Sequence, residues 1–124
     1  MKTWLAVFMG GGAGSLFRLA LQKGLGGYSQ VFPWGTLAAN GLSCLVMGWI
    51  LAKAEHPVLG QEIYKNLIIT GFCGGFSTFS SLIRENWQLG QQGLFTTALG
   101  YDLLSFVLGI GCLFTGLWLG KLSG

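Results

Sequence analysis

Four long apolar segments separated by short connectors constrain this chain more than any other feature of its sequence. The segments cover roughly residues 3 to 21, 32 to 52, 66 to 89 and 94 to 118. Each is long enough for a helix that crosses the hydrocarbon core of a bilayer, which takes about 20 residues. Because no connector could hold a separate folded unit, we predict a single transmembrane domain over residues 1 to 124.

The composition supports an all-α integral membrane protein. Charged residues make up only 9% of the chain, whereas a soluble domain carries about 25%. The net charge of +3 is too small and too scattered to indicate a nucleic-acid partner. Cys44, Cys73 and Cys112 all lie inside predicted spans, so we interpret them as apolar fillers rather than as a disulfide framework.

The third segment contains an interruption from Gly71 to Ser80, where glycines and hydroxyl residues replace aliphatic ones. We predict that its helix breaks near its centre, around Gly74 to Ser77. Irregular backbone at membrane depth persists only where protein buries it or where it lines a hydrated cavity. The carbonyls freed by the break could hold a cation, and the side chains of Thr78 and Ser80 could donate to an anion.

Aromatic residues accompany this interruption. Phe76, Phe79 and Leu82 follow one another at intervals of three, which places them on one face of a continuous helix. An aromatic ring has an electropositive edge, so a ring presented edge-on favours a desolvated anion. The alternative interpretation is ordinary packing of aromatic side chains within a helix bundle.

Three polar residues in the other segments are further candidates, each with two interpretations. Arg18 either snorkels to the interface or borders an aqueous vestibule and attracts anions. Asn40 is either a clasp between helices or a source of amide donors for an anion pathway. Asp102 either pairs with Arg18 or is an exposed residue at the start of the last span.

Positive charges are divided almost equally between the two sides of the membrane. The side with both termini has Lys2, Lys53, Lys65 and Lys121, and the opposite side has Arg18, Lys23 and Arg84. The positive-inside rule therefore predicts almost no preference for one orientation in the membrane. We predict insertion in both orientations and an antiparallel dimer, with single-orientation insertion governed by Lys2 as the alternative.

Taken in order, these motifs resemble those of the Fluc (CrcB) fluoride channels, which are four-span proteins that form antiparallel, dual-topology dimers with two pores. The matching stretches are Gly10 to Arg18, Gly35 to Asn40, Gly71 to Gly75 with Thr78-Phe79-Ser80, and Tyr101 with Ser105. The resemblance covers nearly the whole chain. It implies a channel that exports fluoride passively across the plasma (inner) membrane, with no enzymatic activity.

The resemblance also implies roles for individual residues. Asn40 and Phe79 would line the fluoride pathway, with Ser80 and Tyr101 nearby and Ser105 on a polar track in the fourth helix.

A structural sodium ion is implied as well. It would lie at the dimer centre, held by the main-chain carbonyls of Gly74 and Ser77. The family usually has Thr where Ser77 stands, and a ligand provided by the backbone tolerates that difference.

One departure from the family pattern concerns the second of two phenylalanines, which falls at Leu82 in the ungapped register. Phe76 is the alternative source of this ring, one turn earlier. The chain would then form a homodimer, or a heterodimer with a second family member that supplies the missing pore residue. A proton-coupled antiporter of the small multidrug type is a further alternative. Such a transporter needs a carboxylate in its binding chamber, and we identify none inside the first three spans.

Overall fold

The computed structural model describes residues 1 to 26 and 31 to 124, and these residues form helices without any strand. The elements are α1 (Lys2–Leu25), α2 (Trp34–Leu51), α3 (Glu62–Lys65), a π-helix (Asn66–Cys73), α4 (Gly74–Phe76), α5 (Phe79–Gln91) and α6 (Phe95–Leu122). The third span, Glu62–Gln91, consists of α3, the π-helix, α4 and α5. Among the described residues, four helices are long and apolar enough to cross a membrane, so the predicted four-span, all-α fold is confirmed.

The first and third spans run parallel and contact each other through glycines. Gly10 of α1 lies against the carbonyl of Leu67, and Gly14 lies against the carbonyl of Phe72. The residue numbers rise together, so the two helices run in the same direction. A methyl group on either glycine would overlap the facing carbonyl oxygen. Small residues allow helix backbones to approach this closely, and van der Waals packing then holds the pair together inside the bilayer. We call this contact the first glycine seam.

A second glycine seam joins α2 to α6, which also run parallel. Gly41 faces Leu108 and Gly48 faces the carbonyl of Leu113, while Gly116 packs equally closely against α2. A side chain at Gly48 or Gly116 would overlap backbone atoms of the other helix. The fold therefore consists of two parallel pairs of spans, one with odd and one with even numbers.

The buried core is small, and α2, α5 and α6 contribute to it. Leu37, Leu82 and Tyr101 form a buried cluster, with Phe32 and Leu108 packed against it. Many large apolar side chains point outward instead, as expected for a protein whose solvent is lipid: Trp4, Phe8, Leu16, Phe106, Phe114 and Trp118.

Candidate ion pathway at the break in the third span

Two residues in extended conformation interrupt the third span between α4 and α5. Ser77 has φ −77° and ψ 157°, and Thr78 has φ −154° and ψ 115°. The Thr78 hydroxyl caps α5 by accepting a hydrogen bond from the N–H of Ser81 at 3.1 Å. The predicted central break is confirmed, but it occupies only the end of the predicted range, because Gly74 is still helical at φ −63° and ψ −39°.

Asn40 of α2 bonds to the backbone at the break. Its Oδ1 accepts from the N–H of Thr78 at 2.7 Å, and its Nδ2 donates to the Thr78 carbonyl at 3.4 Å. These bonds satisfy backbone groups that the interrupted helix leaves without partners. The structure therefore supports the clasp interpretation. The second N–H of Nδ2 has no acceptor within the two described ranges, so Asn40 also keeps a free donor.

Two carbonyl groups at the break lose the partners that an α-helix would supply. The carbonyl of Gly74 would accept from the N–H of Thr78, and that of Ser77 from the N–H of Ser81. Both N–H groups are bonded elsewhere, to Asn40 Oδ1 and to the Thr78 hydroxyl. In the part of the chain that the structure describes, no group of three His, Cys, Asp or Glu side chains could hold a metal. The two freed carbonyls are oxygen donors at the break, and hard cations prefer oxygen ligands.

The helix before the break ends at a heavily bonded carbonyl. The carbonyl of Cys73 accepts from the Ser77 N–H at 2.9 Å, from the Ser77 hydroxyl at 2.7 Å and from the Ser43 hydroxyl at 2.9 Å. Since a carbonyl oxygen has two lone pairs, three donors saturate it. Ser43 and Asn40 both belong to α2, so this helix secures the chain on either side of the break.

A cavity with a volume of about 250 Å³ opens beside the break. Its lining consists of Asn40, Cys44, Ser77, Thr78, Phe79, Leu82, Ser105, Phe106 and Gly109. It brings together five residues predicted for the fluoride pathway, namely Asn40, Thr78, Phe79, Leu82 and Ser105. Phe79 is 74% exposed and forms an outer wall, whereas Leu82 is 9% exposed and belongs to the core cluster. We call this space the break cavity.

A carboxylate lies inside the third span, where we had identified none. Glu85 of α5 accepts from the Thr36 hydroxyl at 2.5 Å through Oε1 and from the Tyr101 hydroxyl at 2.7 Å through Oε2. Gln22 of α1 donates in turn to the Thr36 hydroxyl at 3.2 Å. The earlier interpretation was wrong, because Glu85 lies inside the predicted third span and within α5 (Phe79–Gln91).

Two polar cavities, each of about 180 Å³, border Glu85 at this end of the molecule. Gln22, Thr36 and Arg84 contribute to one, and Gln88 and Gln92 to the other. We call them together the vestibule.

Tyr101 connects the vestibule to the break cavity. Its hydroxyl binds Glu85, and its carbonyl accepts from the Ser105 hydroxyl at 2.7 Å. Tyr101 itself is completely buried. A continuous series of polar groups therefore runs from the vestibule, through Tyr101, to the lining of the break cavity.

The sequence profile of a family described as CrcB-like protein, Camphor Resistance (CrcB), matches residues 5–117. The chain belongs to the CrcB family. It is 42% identical to a fluoride-specific ion channel FluC of Leptospira interrogans over 123 residues, which are 97% of this chain and 95% of that relative. It is 38% identical to the FluC of Phocaeicola vulgatus, with 98% and 100% covered, and 37% identical to that of Paracoccus denitrificans, with 96% and 94% covered.

With four spans and this family membership, the chain is a multi-pass protein of the plasma membrane. The resemblance inferred from its motifs is confirmed over nearly the whole chain.

Phe76 is not brought to the break cavity of this CrcB family member. It is 4% exposed and packs against Phe72 and Phe17, with ring centroids 5.4 and 6.3 Å away. The interpretation that it shares a face with Phe79 and Leu82 was wrong, because the extended residues between them change the direction of the chain. Phe76 therefore contributes to the packing of the first and third spans.

Ser80 is exposed and lies outside the lining of the break cavity, with its hydroxyl 3.4 Å from that of Thr78. Arg18 is half-buried on α1 and lies outside the lining of both the break cavity and the vestibule.

The ion pair predicted as one alternative for Arg18 and Asp102 is not formed. Asp102 Oδ1 accepts from Asn86 at 2.7 Å, and the one ion pair among the described residues joins Lys65 to Glu62.

The sequence reasoning missed the group of Gln22, Thr36 and Glu85 around Tyr101. A signal for it does exist in the sequence. Gln22 is near the end of the first span, Thr36 near the start of the second, Glu85 near the end of the third and Tyr101 near the start of the fourth. Spans that alternate in direction bring these four positions to one side of the membrane, where polar groups of matching donor and acceptor type can meet.

Proposed function

We propose that this chain is a fluoride-selective channel through which fluoride leaves the cytoplasm passively. The break cavity carries the proposal, because an amide donor, hydroxyl groups and an aromatic ring meet there in the middle of the third span. The relatives named fluoride-specific ion channel FluC support the choice of ion. Movement of an ion down its gradient makes and breaks no covalent bond, so the protein is not an enzyme.

Fluoride must exchange its water for protein donors to enter such a pathway. Asn40 offers the N–H that the clasp leaves free. The Ser105 hydroxyl donates to the Tyr101 carbonyl, and rotation about its side-chain bond turns the same proton toward the cavity. Phe79 can present its electropositive ring edge to the ion. Donors of this kind favour a small anion without binding it through a fixed opposite charge.

Glu85 fits a supporting role in this pathway better than the role of a cation-binding carboxylate. Its two oxygens already accept from Thr36 and Tyr101, which orients the Tyr101 ring and distributes the negative charge over two donors. An antiporter carboxylate has to be available to protons and cations in turn. The engagement of both oxygens therefore supports the channel.

A pair of antiparallel chains completes the proposed channel. Thr70, Gly74 and Ser80 are exposed in the interior of the third span, where lipid offers no hydrogen-bond partners. A second copy of the chain packed on this face would cover them. The near equality of Lys and Arg on the two sides supports insertion in both orientations.

We further propose that a structural sodium ion binds at the centre of this pair. Gly74 and Ser77 would hold it, since their carbonyls lack the N–H partners of a regular helix. The ion would offset the negative partial charge at the carboxyl end of α4. Gly74 is itself exposed, on the face that a second copy would cover.

The pair is proposed to be a homodimer. Leu82, where the family usually has phenylalanine, packs against Leu37 and Tyr101 within the core cluster. A companion chain with a different residue there is therefore not needed for packing.

Efflux from liposomes that contain only this chain tests the proposed function. With the voltage clamped by a potassium ionophore, the liposomes should release fluoride and retain chloride, and liposomes without protein serve as the control. Proton-driven efflux of organic cations would contradict the channel. Fluoride release only after co-reconstitution with a second family member would contradict the homodimer and leave the choice of ion intact.

A further inference from the structure

The position of α5 depends on polar contacts as well as on a few apolar ones. Of its 13 residues only Leu82 and Leu89 are buried, and none of its glycines lies in a seam. Its amino end is fixed by the Thr78 backbone bond to Asn40. Side-chain hydrogen bonds are the contacts that can fix the rotation of the rest of α5 about its own axis.

Two such bonds cross between α5 and α6. Tyr101 of α6 donates to Glu85 of α5 at 2.7 Å, and Asn86 of α5 donates to Asp102 of α6 at 2.7 Å. Each helix thus supplies one carboxylate and one donor, on consecutive residues. The two bonds run in opposite directions between the same pair of helices.

Consecutive residues of an α-helix point about 100° apart around the axis. A single bond at Glu85 would leave α5 free to swing about that contact. A second bond at Asn86 grips the helix at another angle and restricts the rotation. Asn86 also donates to the carbonyl of Leu82 at 2.9 Å, so this side chain is tied to the turn that borders the break cavity.

Asp102 has no other function in the pathway described so far. It is half-buried inside the last span, forms no ion pair among the described residues, and has Asn86 as its hydrogen-bond partner there. An ionisable residue within a span is costly, and such residues commonly have a functional role. Its contact with Asn86 indicates what that role is.

We propose that Asn86 and Asp102 are a positioning pair that sets the rotation of α5 and thereby the places of Phe79 and Leu82 in the break cavity. This inference rests on the proposed fluoride pathway. Neither residue touches the ion. Loss of the pair should change which anions pass, because the ring edge of Phe79 and the wall formed by Leu82 would move relative to Asn40 and Ser105.

Exchange of donor and acceptor between the two positions tests the pair. Asn86→Asp alone sets two carboxylates against each other, and Asp102→Leu alone removes the acceptor. Each should lower fluoride efflux about tenfold, equivalent to ~1.4 kcal/mol, and should reduce the preference for fluoride over chloride. The double variant Asn86→Asp with Asp102→Asn restores one donor and one acceptor, so it should recover most of both properties. Recovery should be incomplete, because the carboxylate introduced at position 86 cannot donate to the Leu82 carbonyl.

Gln91→Glu is the matched control, since it makes the same amide-to-carboxylate change at an exposed residue at the carboxyl end of α5. It should keep wild-type efflux and selectivity. The thermal midpoint of each purified variant is measured in parallel. If flux falls only in step with thermal stability across the variants, and the preference for fluoride over chloride stays unchanged, the positioning role is overturned.

A double variant with no more flux and no more preference for fluoride than Asn86→Asp alone would also overturn it, because residues in contact should show coupling. Absence of fluoride efflux from the wild-type chain would instead overturn the proposed function, which keeps the two failures distinct.

Discussion

Helix α6 contacts its two neighbours in opposite ways. Against α2 it packs backbone to backbone along the second glycine seam, where Gly48 and Gly116 leave no space for a side chain. Against α5 it relies on the Leu82 contact with Tyr101 and on two hydrogen bonds between side chains. The first contact is rigid because no rotamer can adjust it, whereas the second can be retuned by single substitutions. The scaffold and the ion pathway thus share one helix but use different interactions.

The largest effect should follow from filling the seam. Gly116→Val would drive its side chain into the backbone of α2, and overpacking of this kind destabilises by about 1–3 kcal/mol or more. We expect little monodisperse protein after heating in detergent. Gly111→Ala on the same helix has open space around it and should behave as wild type. If Gly116→Val is as stable as the wild type, the contact of α6 with α2 is not more rigid than its contact with α5.

Removal of the clasp should have the next largest effect. Asn40→Ala leaves the Thr78 N–H without its partner and deletes the free donor of the break cavity, a loss of about 1–3 kcal/mol. Fluoride efflux should fall tenfold or more, and the thermal midpoint should also decrease. Ser43→Ala is the control, because the Cys73 carbonyl keeps both of its Ser77 donors. Unchanged efflux in Asn40→Ala would restrict Asn40 to a structural role.

The link between α5 and α6 can be weakened without changing its shape. Tyr101→Phe removes the hydroxyl that donates to Glu85 and keeps the ring, which should cost about 1–2 kcal/mol of stability. Efflux should decrease several-fold as the Glu85 carboxylate loses one of its two donors. Tyr64→Phe, an exposed tyrosine near the start of the third span, should leave both measurements unaltered. Equal results for the two tyrosines would contradict a role for Tyr101 in the pathway.

The smallest effect is expected at Leu82. Leu82→Phe introduces a ring at the edge of the break cavity, where contacts of aromatic rings contribute about 0.5–1.5 kcal/mol, so efflux should rise by roughly threefold. Phe76→Leu, which alters packing against Phe17 and Phe72, should lower the thermal midpoint without lowering the flux per folded protein. The reverse result, with flux sensitive to Phe76 alone, would show that α4 contributes to the pathway.

The scaffold was largely predictable from sequence because its determinants are local. Four apolar segments of sufficient length predict four spans, and glycines with hydroxyl residues in the third predict its break. Thr78 adds a helix cap that begins α5. Each of these features depends on residues close together in the chain, so periodicity and composition are enough to find them.

The details of the site were less predictable because they depend on how helices are rotated against one another. Phe76 and Phe79 separate because two extended residues redirect the chain, and a pattern of threes assumes a continuous helix. Asp102 meets Asn86 rather than Arg18, since α6 packs beside α5. The role of Glu85 depends on Thr36 and Tyr101, which lie on two other helices and are far from it in the sequence.

The carbonyl of Cys73, with its three donors, has a spectroscopic consequence. Each hydrogen bond withdraws electron density from the C=O bond and lowers its stretching frequency. A ¹³C label at the Cys73 carbonyl should therefore give an infrared band below that of an equally labelled helical carbonyl with a single backbone donor. This vibration would report whether the broken third span persists in a native bilayer, with no bulky probe added to the pathway.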